Sequence, residues 1–311
     1  MLAASLKKFS AITLFLCVYT YGIMVLGPLV RAENAGLACP DWPLCYGHVI
    51  PPVEYRVYLE FIHRVVAGVG GIFLLLWIIW IFSSPDLRKR FSLYAVAALL
   101  LLAVQIFLGR WTVTKLLDAY VVKSHLLTAV IYLSVLLTVW IKARGQSLQL
   151  HPAQGRKQSL WVAGIFSGLV FLQLFLGGRV STTGSGLSCN EFPACTSHTV
   201  YSQDGSSRTE TVFFPPMVGA LEMHMTHRLA AYLIFFFAVF LLFFSRSQQW
   251  PESLLKWNLG IFLGVCFQIM LGAMNVLFML PVIVTVLHSA SAIAIFAASF
   301  LQFQFLRTGQ S

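Results

Sequence analysis

The chain has 311 residues, of which 58% are hydrophobic and 10% are charged, whereas a soluble domain carries about 25% charged residues. This composition excludes an ordinary soluble protein and indicates an integral membrane protein. The net charge of +10 would suit a nucleic-acid-binding protein, but its distribution along the chain excludes that class.

Eight apolar runs follow one another, and none shows the alternation of a β-strand. A helix needs about 20 residues to cross a bilayer core that is about 30 Å thick. We therefore predict an all-α integral membrane protein with eight transmembrane helices. The predicted spans are residues 9–30, 58–82, 91–112, 119–141, 159–180, 221–245, 255–278 and 282–305.

Basic residues concentrate on one side of these spans. If both termini are cytoplasmic, that side carries twelve basic residues and only two acidic ones, Asp86 and Glu252. This is the asymmetry of the positive-inside rule, so the charge predicts cytoplasmic N and C termini and no nucleic-acid partner. The basic residues are Lys7, Lys8, Arg88, Lys89, Arg90, Lys142, Arg144, Arg156, Lys157, Arg246, Lys256 and Arg307.

Two loops of matching sequence lie 150 residues apart, at residues 36–45 and 186–195. A glycine, a leucine, two cysteines, an acid, an aromatic residue and a proline recur in register. We therefore predict two parallel four-helix halves, residues 1–145 and 156–311, related by a pseudo-twofold axis along the membrane normal. Residues 146–155 form the predicted cytoplasmic linker.

Each of these loops contains a cysteine pair on the predicted outer face, Cys39 with Cys45 and Cys189 with Cys195. An outer compartment permits disulfides. Each bridge can act as a staple that shapes a lid over its half, or as a redox-active pair that takes part in the reaction. The second interpretation places Cys39 and Cys45 among the catalytic residues, and the sequence leaves both open.

A charged motif at the mouth of the second span contains Glu60, His63 and Arg64. Residues three apart share a face of a helix, so Glu60 could handle protons for whatever His63 binds. Each arginine of the motif can bind an anionic propionate in bidentate geometry or extend to the membrane interface. The motif returns in the sixth span as His224, His227 and Arg228.

Four histidines occupy equivalent places in the even spans: His63 and His125 in the first half, His227 and His288 in the second. An ionisable residue inside a membrane is costly and indicates a functional site. One pair in each four-helix unit is the arrangement that clamps a haem iron. Zinc would need further Cys, His or acidic ligands nearby, so haem is favoured over zinc. A single histidine could simply be hydrogen-bonded to a neighbouring helix, but here each histidine has a partner in its own half.

A glutamine stands four residues before a glycine in three of the odd spans. A glycine lets helices, or a flat ligand, approach closely, although helix packing alone explains it equally well. We assign the glutamines no ligand role. The pairs are Gln105 with Gly109, Gln173 with Gly177, and Gln268 with Gly272.

Together these motifs resemble those of the haem A synthase family, membrane enzymes that make haem A for terminal oxidases. The resemblance implies oxidation of a ring methyl group of haem O to a formyl group by successive hydroxylations. It implies that His63 and His125 bind the substrate haem, with Glu60 essential for the chemistry. It also implies a resident haem b on His227 and His288, with Arg64 and Arg228 near the propionates.

The resemblance also implies partners and a location. Haem O comes from a farnesyltransferase, haem A passes to a terminal oxidase, quinol is a candidate electron donor, and a homo-oligomer is left open. The predicted location is the bacterial cytoplasmic membrane, with the cysteine loops on the outer face. The alternatives are a two-haem cytochrome b that only transfers electrons and a quinone-linked disulfide oxidase.

Overall fold

In the computed structural model, eight long helices form most of the described chain, which comprises residues 2–145, 156–193, 195, 197–201, 207–211 and 219–308. All eight are long and apolar enough to cross a membrane. The prediction of a helical membrane protein with eight spans is therefore confirmed. The helices are α1 (Leu2–Ala32), α2 (Tyr55–Ser83), α3 (Pro85–Thr114), α4 (Ala119–Arg144), α5 (Arg156–Thr182), α6 (Gly219–Ser247), α7 (Glu252–Leu277) and α8 (Val282–Thr308).

The helices extend beyond most of the apolar runs from which they were predicted. Seven predicted spans lie wholly inside a helix, and the span 255–278 ends one residue after α7. Hydropathy marks the length that lies in the bilayer, whereas backbone hydrogen bonding continues into polar residues at the ends. Helix α3 illustrates this, because it begins at Pro85 and has Asp86 in its first turn.

The eight helices pack as two closed rings of four. In the first ring α1 and α3 each contact both α2 and α4, and in the second α5 and α7 each contact both α6 and α8. Helices α1 and α4 contact α8 across the boundary, and α4 also contacts α5. The domain division and the twofold axis remain predictions. The predicted linker, residues 146–155, lies outside the described residues.

Apolar side chains both fill the rings and cover their outside. Phe9 is fully buried and stacks on Trp77 and Phe91, with ring centroids 5.7 and 5.1 Å apart. Leu100 and Phe236 are exposed on the outer faces of their helices. Exposed apolar surface on every helix is what a lipid environment requires, because the bilayer solvates it.

The turns before α4 and α8 share an unusual backbone conformation. Leu117 and Leu280 each have a φ of 60°, a left-handed conformation that bulky residues rarely adopt. A Cβ atom built at Gly36 would meet Leu117 at 3.3 Å, and one at Gly186 would meet Leu280 at 3.3 Å. The start of each cysteine loop therefore packs directly on the turn of its own ring.

A two-stranded antiparallel hairpin, β1 (Ser197–Tyr201) and β2 (Ser207–Thr211), lies between α5 and α6. The sequence analysis did not predict it. Each strand has five residues, and a strand needs about 9–11 residues to cross a bilayer. The hairpin is therefore an addition to a loop and leaves the membrane class unchanged.

Candidate functional site

Each of the four matched histidines packs against a glycine on the preceding helix. Because glycine has no side chain, the imidazole ring approaches the neighbouring backbone closely. A Cβ atom built at these glycines would meet Cε1 of the ring at 3.1 to 3.8 Å. The pairs are His63 with Gly27, His125 with Gly109, His227 with Gly177, and His288 with Gly272.

The two histidines of the second ring face each other. The ring centroids of His227 and His288 are 6.4 Å apart, and their planes meet at 72°. A metal ion bonded to a nitrogen of each ring at about 2 Å would hold the two centroids roughly 6 Å apart. In the first ring, His63 packs on Gly27 of α1 and His125 packs on Gly109 of α3. The structure therefore brings the second predicted pair together, and the pairing of His63 with His125 stays a prediction.

Ring nitrogens at both sites are buried without a hydrogen-bond partner. Among the described residues, none bonds Nδ1 of His63, His125 or His227. A buried polar atom left unpaired costs about 1–3 kcal/mol, so these rings suit a bound ligand. The described residues contain no group of three or more His, Cys, Asp or Glu side chains able to hold a metal ion. A haem needs only two axial ligands, and the histidine pairs fit it.

Three glutamines bond to the helices that carry the histidines. The side-chain amides of Gln105, Gln173 and Gln268 each donate to a carbonyl oxygen of the next helix at 2.9 Å. Sequence reasoning noted these residues and missed their role, because spacing along one helix does not show which carbonyl of another helix faces it. The acceptors are the backbone oxygens of His125, His227 and His288.

Glu60 lies beneath the first cysteine loop and is only 4% exposed. Its Oε2 accepts a hydrogen bond from the backbone N–H of Cys39 at 2.8 Å, and its Oε1 pairs with Nη2 of Arg64 at 2.5 Å. The ion pair follows from spacing, because residues four apart meet on a helix. The bond to Cys39 is tertiary, and the sequence analysis did not predict it.

Arg64 joins α2 to the first loop. Its Nη1 donates to the carbonyl oxygens of Asp41 and Leu44 at 2.7 and 2.9 Å, and its Nη2 donates to the carbonyl oxygen of Cys39 at 3.2 Å. The guanidinium therefore spans the disulfide-closed loop and holds it on the helix. A contact with haem propionates stays a prediction.

Arg228 holds the second cysteine loop on α6 in the same way. Its Nη1 donates to the carbonyl oxygen of Glu191 at 2.7 Å, and its Nη2 donates to that of Cys189 at 3.0 Å. Its Nε donates to Nε2 of His224 at 3.1 Å. His224 thus occupies the place of Glu60 as the partner of the arginine, with an imidazole instead of a carboxylate.

Both predicted disulfides are confirmed. The Cα atoms are 4.8 Å apart in Cys39–Cys45 and 5.9 Å apart in Cys189–Cys195.

The first loop also has an internal clasp at Asp41. Backbone N–H groups of Gly47 and Tyr46 donate to its carboxylate at 2.8 and 2.6 Å. These bonds, that from Gly47 foremost, lower the pKa of Asp41. These two hydrogen bonds therefore hold the backbone of the loop that the Cys39–Cys45 bridge closes.

Comparison with known proteins agrees with this arrangement. A family model, COX15-CtaA, described as cytochrome oxidase assembly protein, matches residues 10–56 and 53–300. The chain belongs to this family. The matched region of this COX15-CtaA protein includes both cysteine loops and all four matched histidines.

Several relatives of this COX15-CtaA chain carry the name Heme A synthase. That of Shewanella oneidensis is 30% identical over an alignment covering 88% of this chain and 89% of its own length. Those of Bacillus pumilus and Rickettsia akari are 27% and 25% identical, over 80% and 89% of this chain and 77% and 91% of their own. The resemblance to haem A synthases is therefore confirmed.

Proposed function

We propose that this protein is a haem A synthase, which oxidises a ring methyl group of haem O to the formyl group of haem A. The observation that carries the proposal is the facing pair His227 and His288, whose centroids are 6.4 Å apart, in a chain of the COX15-CtaA family. The second pair, His63 and His125, supplies the further haem site that a haem substrate requires.

The reaction is a four-electron oxidation at one carbon. Two C–H bonds of the methyl group give way to two C–O bonds in successive hydroxylations, with both oxygen atoms taken from water. Four electrons pass to an oxidant of the dioxygen class and four protons are released, and the resulting diol loses one water to leave the formyl group. Positive charge develops beside the macrocycle as the electrons leave. A catalytic group near the reacting edge must therefore accept protons or stabilise cationic charge.

Glu60 is the residue that fits this need, which assigns substrate oxidation to the first ring. It is a carboxylate one helical turn from His63, buried under the loop and oriented by Arg64 and Cys39. The second ring has His224 in that place, and His224 already accepts a hydrogen bond from Arg228. An imidazole provides no negative charge, so the second ring is suited to a resident haem.

The resident group is haem b, held by His227 and His288. When bound it supplies one-electron transfer. The chain's contribution is to orient the two imidazoles, to exclude water with the apolar helices, and to cover the site with the loop that Arg228 fastens.

The positive-inside rule orients the molecule in the bacterial cytoplasmic membrane, with both termini cytoplasmic and the cysteine loops on the outer face. Haem O, supplied by a farnesyltransferase, reaches the first ring through the bilayer. Haem A then passes to a terminal oxidase.

The test is to express the protein in a host that makes haem O and to analyse the extracted pigments. Wild type is expected to yield haem A, and Glu60→Ala to lower the conversion rate by about 10²–10⁴-fold, the range of general acid–base catalysis. Glu60→Gln separates charge from shape, because its amide oxygen can still accept from the Cys39 N–H. We expect the Glu60→Gln variant to fold normally but to have lost the conversion of haem O to haem A.

The matched control is Glu252→Ala, which removes an exposed carboxylate that pairs with exposed Lys256 at 2.7 Å. This variant is expected to keep wild-type activity. Absence of any formyl haem from folded, haem-loaded wild type would refute the proposal. Full activity of Glu60→Gln would refute the role of the charge.

A further inference from the structure

Within the part of the chain that the structure describes, glutamine bonds hold three of the four histidine helices, and no such bond reaches His63. Gln105, Gln173 and Gln268 hold the helices of His125, His227 and His288, with the same 2.9 Å bond to the carbonyl oxygen in each case. The corresponding residue on α1 is Ile23, which stands four residues before Gly27 as Gln173 stands four before Gly177. The side chain of isoleucine has no N–H group that could donate a hydrogen bond.

Ile23 packs instead against α2. A Cβ atom built at Gly70 would meet Cδ1 of Ile23 at 3.0 Å. The polar contacts between α1 and α2 lie farther along α2, where the Tyr19 hydroxyl donates to the carbonyl oxygen of Val66 at 2.9 Å and Trp77 Nε1 donates to the Thr13 hydroxyl at 3.0 Å. The two helices are therefore joined, but not at the residue that carries the imidazole.

Glycine contacts show the same difference between the rings. A Cβ atom at Gly177 or Gly272 would meet Cε1 of the histidine at 3.1 or 3.2 Å, closer than ordinary van der Waals contact. At Gly27 and Gly109 the distances are 3.8 and 3.5 Å, which are ordinary contacts. The imidazoles of the second ring are thus enclosed more tightly than those of the first.

Gln268 adds a contact that reaches the ring. Its Nε2 lies 3.2 Å from Nδ1 of His288 as well as 2.9 Å from the backbone oxygen. Its Oε1 accepts a hydrogen bond from the Ser291 hydroxyl, one turn after His288 on α8. One amide therefore fixes the backbone at His288 and the next turn of the helix, and lies against the imidazole ring.

We propose that Gln173 and Gln268 are positioning residues that make the second ring a permanent haem site, and that Ile23 leaves the first ring open to exchange. This inference rests on the assignment of substrate to the first ring and resident haem to the second. A ligand pair clamped on both helices keeps its separation and resists release. In the first ring only the helix of His125 is held by a glutamine. Helix α2 can therefore move away near His63, which allows haem O to enter and haem A to leave.

The first experiment measures haem b release and needs no turnover. Purified wild type, Gln173→Leu and Gln268→Leu are mixed with excess apomyoglobin, and haem transfer is followed by absorbance. Loss of one hydrogen bond is expected to speed release by about fivefold in Gln173→Leu. Gln268→Leu also loses the bond from Ser291 and is expected to speed release by more. Gln105→Leu is the matched control, since it removes the same bond in the other ring and should leave haem b release unchanged.

A spectroscopic reading separates positioning from general loss of stability. The low-spin electron paramagnetic resonance signal depends on the angle between the two imidazole planes. We expect it to shift in Gln268→Leu, whose amide contacts the ring, and to stay fixed in Gln105→Leu. Unchanged release and an unchanged signal in both second-ring variants would overturn the proposal.

Alanine substitutions of the glycines give a second comparison that does not depend on the glutamines. Gly177→Ala and Gly272→Ala should push on their imidazoles and lower bound haem b, whereas Gly27→Ala and Gly109→Ala should leave it unchanged. Equal haem b content in all four would contradict the difference in enclosure.

The reverse change tests the first ring directly. Ile23→Gln supplies, four residues before Gly27, the amide that Gln173 has four residues before Gly177, and we expect this amide to donate to the carbonyl oxygen of His63. We expect more haem O and haem A to co-purify with the variant and its turnover to fall, with haem b release unchanged. Unaltered retention of haem O and haem A would overturn the role of Ile23. Failure of the proposed function is a different result, because haem b release is measured whether or not haem A forms.

Discussion

The two rings share their architecture, and beneath each cysteine loop one side chain differs between them. Arg64 and Arg228 both fasten a disulfide loop through carbonyl oxygens. The partner of the arginine is a carboxylate in the first ring and an imidazole in the second. The comparison teaches that one scaffold can serve two chemistries, because the loop, the bridge and the arginine set the shape while a single position sets the charge.

The largest expected effect distinguishes the two histidine pairs. His288→Ala should remove most of the bound haem b, because one axial ligand is lost from a pair already at bonding separation. His125→Ala should keep haem b and lose conversion of haem O. Haem b per protein, measured as the pyridine haemochrome, checks both.

The control for this comparison is His48→Ala, which removes an exposed histidine of the first loop and should change neither quantity. Unchanged haem b content and spectrum in His288→Ala would refute the resident site. Loss of haem b in His125→Ala would show that the two rings are not separate sites.

A smaller effect distinguishes the two arginines. Arg64→Ala leaves Glu60 buried without its cationic partner, so it should destabilise the protein by about 3 kcal/mol. Arg228→Ala removes bonds to neutral acceptors and should cost about 1–3 kcal/mol. Thermal unfolding in detergent at constant haem loading measures both.

A double variant that removes the unpaired carboxylate charge checks this comparison. Glu60→Gln in the Arg64→Ala background removes the unpaired charge and should recover part of the lost stability. No recovery in the double variant would show that the arginine acts only through the loop carbonyls.

The smallest expected effect concerns the bridges. Replacing both cysteines of a pair by serine opens a short loop and should lower stability by about 2 kcal/mol in either half. If the bridges are staples, the Cys39→Ser and Cys45→Ser double variant keeps activity in the fraction that stays folded. If the first bridge is redox-active, the folded fraction is inactive, while the Cys189→Ser and Cys195→Ser double variant still converts haem O.

Local patterns in the sequence were enough for several of these features. Hydropathy predicted the eight spans, because burial in lipid needs a continuous apolar run of fixed length. The predicted outer location of both loops allowed the two bridges to be predicted, since an outer compartment permits disulfides. Helical spacing placed Glu60 beside Arg64 without any knowledge of the fold.

Contacts between helices could not be read in this way. The sequence shows Gln268 and His288 twenty residues apart but does not show that the amide of one reaches the carbonyl oxygen and ring of the other. The same is true of Arg64, whose acceptors are backbone oxygens that carry no residue signature. The hairpin between α5 and α6 was also missed, because five-residue strands leave little periodicity to detect.

The sequence by itself determined the membrane class, the number of spans, the four histidines and the one carboxylate that distinguishes the halves, since each is a property of composition or of spacing within one segment. Only the tertiary structure decided what each histidine touches. Which glycine a ring packs on, which amide holds its helix and which loop covers it depend on how separate helices are brought together. Those contacts also show that the imidazoles of the second ring are packed more tightly than those of the first.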